Sequence, residues 1–269
     1  MDPRQACLAC LAQEPPNLFE AALWIAAEHE PLLPPGQSLS ALDELDRRLR
    51  VAQSGAPGES ERAQWLLRQL SELGFAEDDD QPLRPRAALL PRVLQRRRGQ
   101  PLSLALVALE LARRQAIPLA GVSFPGRFLL RVPGADHLLD PATGRRLYPR
   151  DCRDLLARHL GPQVELSAAL LRSAEPREML QRLSRNLRQL HQAAGEPLAA
   201  LKDAQRVLEL GEANAADHLA RADLYHILDC PQAERYDLER ALLLSNDPTE
   251  QLRLGQRIEA IAVPKKALH

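Results

Sequence analysis

The chain has 269 residues, 45% of them hydrophobic and 26% charged, which suits a globular protein and argues against disorder. A formal charge of −1 gives no field that would gather nucleic acid or an anionic membrane surface. Aromatics are scarce at 3% whereas Leu, Ala and Arg abound, a bias toward helix. The short basic run Arg96–Arg98 is offset by Asp78, Asp79 and Asp80, and both runs read as solvated surface. No stretch reaches the roughly 18 apolar residues needed to span a bilayer. Met1 to Gln5 opens no apolar run either. The expectation is therefore a soluble, cytoplasmic protein without a signal peptide.

Four cysteines do not make a disulfide framework in a chain of this kind. Cys7 and Cys10 form a C-x-x-C, but inside a helical Ala/Leu-rich segment with no further ligands at zinc spacing. They read as two small buried residues. Asn17 is a plausible N-cap for a helix over Leu18 to Glu28. Leu42, Leu45 and Leu49 follow at helical spacing, and Gln53 to Glu59 reads as a connection. An amphipathic helix is predicted from about Ser60 to Leu73, with Trp65, Leu66, Leu70 and Leu73 on one side and Gly74 ending it. Leu102 to Arg114 is apolar nearly all round, the mark of a helix buried at the centre of a domain, and Pro101 suits its first turn.

The period then changes. Phe124, Phe128, Leu130 and Val132 share one parity, with Arg127 and Arg131 on the other, which predicts a strand. Pro133–Asp136 is a turn, and His137 to Asp140 returns as the partner strand. From about Arg177 the chain is helical again. Gln205–Leu210 recurs as Glu239–Leu244 at the 34-residue tetratricopeptide period. Gly195 and Ala200 fall where the first unit's inter-helix turn and small packing residue belong, and Ala222 and Tyr225 fall on packing positions of the second.

One ordered set of residues stands out. It runs Val93-Leu94, Arg97-Arg98-Gly99, Pro101, Ser103-Leu104, Leu111–Arg114, Pro118, Gly121-Val122, Phe124-Pro125-Gly126, Phe128–Leu130 and Asp140-Pro141. With the helical repeat behind it, this layout resembles the bacterial SirB family over almost the full chain. The resemblance implies a transglutaminase-like domain followed by tetratricopeptide repeats. In the wider superfamily a helix-start cysteine attacks a carbonyl, a histidine on the next strand activates it, and an aspartate orients the histidine. Carried over by the resemblance, the nucleophile falls near Pro101 or Ser103, the histidine at Arg127 and the aspartate at Asp140. The family's Phe-Pro-Gly-His-Phe reads here with Arg127 in place of the histidine. Its Asn-Ser before the central helix reads Ala87-Ala88.

These departures matter chemically. A guanidinium stays protonated and accepts no hydrogen bond, so Arg127 cannot serve as a base. Ser103 is the only hydroxyl near the nucleophile position and would need a base. His137 lies close in sequence, but strand parity puts it on the face away from Arg127 and Asp140. Ser103 thus reads as a helix N-terminal residue bonding backbone. His29, His159, His191, His218, His226 and His269 are dispersed, so no metal site is expected. No glycine-rich phosphate loop occurs, since Gly121 to Gly126 lacks a lysine, and no cofactor is expected.

The reading is an α+β, mostly α chain. A transglutaminase/cysteine-protease-like domain with a small antiparallel sheet covers residues 1–172, and tetratricopeptide-like helical hairpins cover 173–269. The expected function is that of a non-catalytic interaction or regulatory scaffold without nucleic acid or membrane as partner. It would bind a protein or peptide through first-helix residues Arg185, Arg188, Gln192, Arg221 and Tyr225. The alternative is a hydrolase or acyltransferase with a non-standard catalytic set. At the vestigial site (Pro101, Ser103, Arg127, Asp140), Arg127 and Asp140 are expected to form an ion pair. A turn at Gly134-Ala135 makes them diagonal neighbours, about 7–8 Å apart.

Overall fold

The computed structural model describes residues 2–52 and 58–261. The connection expected at Gln53–Glu59 lies outside them except for Gly58 and Glu59, and so does His269. The chain divides by packing into two units, Met1–Leu183 and Ser184–His269.

The first unit opens with α1 (Pro3–Leu11), α2 (Leu18–Ala27), α3 (Pro35–Ala52) and α4 (Glu59–Glu72). Asn17 caps α2 as the sequence suggests, its side chain accepting from the Glu20 amide at 3.2 Å. Cys7 and Cys10 are both buried on α1. Strand β1 (Ala76–Glu77), helix α5 (Leu90–Arg96) and strand β2 (Arg98–Gly99) lead to α6 (Pro101–Arg114). Strands β1 and β2 pair in parallel, a contact with no signal in the sequence.

Helix α6 is the centre of this unit. Leu102, Leu104, Ala105, Leu106, Val107, Ala108 and Leu111 are all buried. Burying a leucine or valine side chain contributes about 1.5–3 kcal/mol, so this one helix carries a large share of the hydrophobic stabilisation. Its one buried charge is Glu110, bonded to Arg113 at 2.8 Å and Arg114 at 2.7 Å. Burial works to raise the Glu110 pKa, but the two guanidiniums outweigh it and hold the carboxyl below the usual range.

A four-stranded antiparallel sheet follows, in the order β3 (Ala120–Val122), β4 (Leu129–Arg131), β5 (Leu138–Leu139), β6 (Arg146–Leu147). The β4–β5 register pairs Leu130 with Leu139 and Arg131 with Leu138. That is the register of a turn centred on Gly134-Ala135. The expected strand from Phe124 is shorter than its alternation implied. Pro125 and Gly126 turn the chain, Gly126 at φ +71°, and pairing begins only at Leu129. Alternation also fails within β4, where Leu129 and Leu130 are both fully buried. Adjacent strand residues face opposite ways, and this sheet is covered on both sides. Leu129 joins Val122, Phe124, Leu138 and Leu147 against Cys152 and Leu156 of α7 (Pro149–Leu160), while α6 packs on the other face.

Gly121 of β3 shows how tight the packing is. A Cβ there would lie 2.6 Å from the Phe128 ring and 2.8 Å from Met179 Sδ. Gly121→Ala is therefore expected to destabilise by about 1–3 kcal/mol. Urea unfolding checks it, and an unchanged midpoint would show that the Phe128 ring and Met179 yield freely.

The remaining helices are α8 (Pro176–Ala193), α9 (Pro197–Leu210), α10 (Ala215–Ile227), α11 (Pro231–Leu244) and α12 (Pro248–Ala260). The repeat pattern puts a boundary at 172/173, ahead of α8, whereas the division by packing falls inside that helix. The reason is local. Met179 packs on Gly121, and Arg182 bonds Ser123 Oγ at 2.9 Å and the Phe124 carbonyl at 2.8 Å, so the first half of α8 belongs to the first unit.

Helices α9 and α11 start and end 34 residues apart, Pro197 to Pro231 and Leu210 to Leu244. Gly195 and Asp229, at the same offset, both take positive φ in the turns before them. Ala200 and Ala222 are fully buried, as packing positions require. No helix among the described residues is long and apolar enough to cross a membrane.

Candidate functional site

Pro101 is the first residue of α6 and half-buried. Ser103 is fully buried, and its hydroxyl donates to the Ala88 carbonyl at 3.4 Å. The backbone-bonding reading of Ser103 thus matches its surroundings.

Arg127 follows the Gly126 turn and meets Asp140, which stands just past β5. Arg127 Nε lies 2.8 Å and Nη2 2.5 Å from Asp140 Oδ2, so the expected ion pair forms. Arg127 Nη2 also donates to Glu77 of β1, a partner the sequence reading missed. Glu77 is held there on β1, paired in parallel with β2, and nothing local in the sequence announces it. Burial works to lower the Arg127 pKa, but Glu77 and Asp140 outweigh it and push it up.

The other Asp140 oxygen is also occupied. Oδ1 accepts from the amides of Ala142 and Thr143 at 3.0 Å each and from Thr143 Oγ1 at 3.1 Å. The carboxylate therefore organises the Asp140–Gly144 turn in addition to binding Arg127.

Beside this pair lies an open cleft of about 370 Å³. Its charged lining is three arginines, Arg127, Arg145 and Arg158, and three aspartates, Asp140, Asp151 and Asp154. Arg145 bonds Asp151 at 2.5 Å, and Arg158 bonds the Asp154 carbonyl at 3.2 Å. The walls largely neutralise themselves. Cys152 of α7, which does not line this cleft, is buried, and desolvation pushes its thiol pKa up, which disfavours the reactive thiolate.

A second constellation was not foreseen. His137 Nε2 sits 3.2 Å from Ser60 Oγ at the start of α4, and its Nδ1 sits 2.8 Å from Asp136 Oδ1. Asp136 is almost fully exposed, and its hydrogen bond to His137 holds its carboxyl below the usual range. Ser60 lies 77 residues from His137, which is why spacing could not reveal the contact.

In the second unit the candidate binding residues separate by environment. Arg185 is bidentate to Asp217 at 2.8 and 2.7 Å, and Arg221 to Asp237 at 2.7 and 2.8 Å. Arg221 also lies 5.7 Å from the Tyr225 ring centre. Gln192 is exposed and Tyr225 half-buried, whereas Arg188 is buried. His218 and His226 bond different carboxylates, Asp237 at 2.8 Å and Glu234 at 3.1 Å.

The fold and this site define a class before any relative is considered: a central helix packed on an antiparallel sheet, with the cleft at its edge. Comparison with known proteins agrees. A family model described as transglutaminase-like superfamily matches residues 37–185. UPF0162 protein PA3419 of Pseudomonas aeruginosa is 73% identical over 100% of both chains. A UPF0162 protein of Xylella fastidiosa is 38% identical over 64% of each chain. Protein SirB1 of Salmonella typhimurium is 26% identical over 84% of this chain and 87% of its own. The chain thus belongs to the UPF0162 family, with SirB1 among its relatives, within the transglutaminase-like superfamily. No solved structure matches it.

Proposed function

We propose that this protein is a non-catalytic member of its superfamily, a cytoplasmic interaction or regulatory scaffold that binds a protein or peptide through tetratricopeptide-like C-terminal helices. The observation that carries this reading is the occupant of the base position. Catalysis there needs a group that accepts a proton. Arg127, held by Asp140 and Glu77, cannot accept one. Ser103, at the nucleophile end, is sealed from solvent. The binding half of the reading is supported by the 34-residue offset of α9 and α11. Arg185, Arg188, Gln192, Arg221 and Tyr225 on α8 and α10 offer chemistry suited to acidic and apolar peptide side chains.

The test exposes the full-length protein and an Arg127→His variant to electrophilic acyl probes, in a Cys230→Ser background that removes the exposed thiol. Intact mass should show neither protein labelled. One member of a catalytic pair restored alone recovers little. Stoichiometric labelling of wild type at Ser103 or Cys152 would overturn the reading.

A second reading, a hydrolase or acyltransferase with a non-standard set, has one observation in its favour. Ser60, His137 and Asp136 are joined in the order hydroxyl, imidazole, carboxylate. A fluorophosphonate adduct on Ser60 that disappears in His137→Ala would select this reading over the first.

A further inference from the structure

Arginines packed inside the C-terminal unit come with carboxylates. Arg185 has Asp217 at 2.7 Å, Arg206 has Asp203 at 2.7 Å, Arg221 has Asp237 at 2.7 Å, and Arg257 has Glu234 at 2.7 Å. Arg188 of α8 breaks the pattern. The residue is only 9% exposed, and its Nε and Nη1 are buried without an acceptor among the described residues. A buried guanidinium with unfilled donors costs stability. Burial pushes its pKa down, and Asp217, Asp203 and Asp223 offset this only in part. Each of those aspartates is already committed to another arginine: Arg185, Arg206 and Arg257 respectively.

We propose that Arg188 anchors a carboxylate-binding site filled by an acidic peptide segment of a partner protein. The inference rests on the reading of these helices as a binding surface and names the chemistry that surface selects. Arg188 is one turn from Arg185 on α8, and Asp217 acts on both. It therefore stands beside the stretch of α10 that carries Asp217 and Arg221, with Tyr225 one turn further. Arg188 is the one of these five arginines with no carboxylate bonded to it among the described residues, and a singly charged, planar carboxylate would supply that partner. A doubly charged phosphate would leave excess negative charge near Asp217, Asp203 and Asp223. The unfilled donors lie on different edges of the guanidinium. A carboxylate together with a neighbouring peptide carbonyl would satisfy both. Gln192, exposed one turn beyond Arg188, can bond peptide backbone, and the Tyr225 ring offers an apolar wall.

The carboxylate could come from a side chain or from a chain terminus, and three peptides separate these sources. Acetyl-tetraglutamate amide carries side-chain carboxylates, acetyl-tetraalanine acid carries a terminal one, and acetyl-tetraglutamine amide carries neither. Each is titrated into full-length protein labelled with ¹⁵N-arginine while the Arg188 Nε–H resonance is followed. At least one carboxylate peptide should shift that resonance saturably, and the glutamine peptide should not. Arg188→Met should weaken that peptide about tenfold or more, the scale of a charged hydrogen bond. The same change should leave the melting temperature level or raise it, because it removes a buried unpaired charge.

An Arg188 resonance unmoved by both carboxylate peptides, or equal binding by Arg188→Met, would overturn the site. Should Arg188→Met fail to fold, the wild-type titration alone decides. A negative titration with no acyl-probe labelling removes the carboxylate site and leaves the non-catalytic reading standing. Probe labelling at a catalytic position removes that reading instead.

Discussion

Asp140→Ala should destabilise the first unit by about 3–5 kcal/mol, the range for removing one partner of a buried pair. The magnitude follows from what the carboxylate holds. Oδ2 takes two nitrogens of Arg127, and Oδ1 takes two backbone amides and a threonine hydroxyl. Ala142, whose amide would lose its acceptor, is buried. Asp140→Asn should cost less, about 1.5–3 kcal/mol, because its amide oxygen can still serve the turn while its NH2 group faces a guanidinium. Urea unfolding of the two variants gives the ranking. If Asp140→Ala cost no more than Asp140→Asn, the turn bonds would carry no weight and the carboxylate would matter only to Arg127. The turn bonds also explain how an aspartate persists beside an altered base position. Its structural work does not depend on whether an imidazole or a guanidinium stands at residue 127.

The sequence made some of this site visible for identifiable reasons. A pair within one hairpin is set by its turn, so Gly134-Ala135 was enough to bring Arg127 and Asp140 together. Helix α6 was equally legible, since an all-round apolar pattern has no other stable use than burial. Long-range pairings were not. Glu77 reaches Arg127 across 50 residues through a two-residue parallel pairing, too short to leave a periodic signal. Ser60 reaches His137 through the packing of α4, and a serine at a helix start has an ordinary role there. The alternation of strand β4 misled because it assumes one solvated face, whereas α6 and α7 cover both. In the C-terminal unit the sequence named Arg185, Arg188 and Arg221 alike. Which of them has a carboxylate depends on Asp217 and Asp237, separated from their arginines by 32 and 16 residues.

Asp237→Ala should destabilise the second unit by about 3–5 kcal/mol and leave the protection of α6 amides against hydrogen exchange unchanged. Asp237 is fully buried, and its oxygens accept from His218 Nδ1 at 2.8 Å and from Arg221 Nε and Nη2 at 2.7 and 2.8 Å. Removing it leaves an arginine and a histidine of α10 facing an apolar methyl in place of their shared acceptor. The position is not incidental. Asp203, 34 residues earlier, is also fully buried and holds His191 at 2.7 Å and Arg206 at 2.7 Å, so each repeat-like unit closes on one aspartate. Asp203→Ala should have an effect of the same size.

Acid should act on the same unit through Asp217. Burial works to raise its pKa, but Arg185 outweighs it and holds the carboxyl below the ordinary value. The stabilisation from the Arg185–Asp217 pair is therefore complete above about pH 3.9, the unfolded value, and is lost as pH falls through the lower folded value. Hydrogen exchange read separately over α6 and α10 tests the aspartate variants. If Asp237→Ala opened α6 as much as α10, the aspartate would not be acting on the second unit alone.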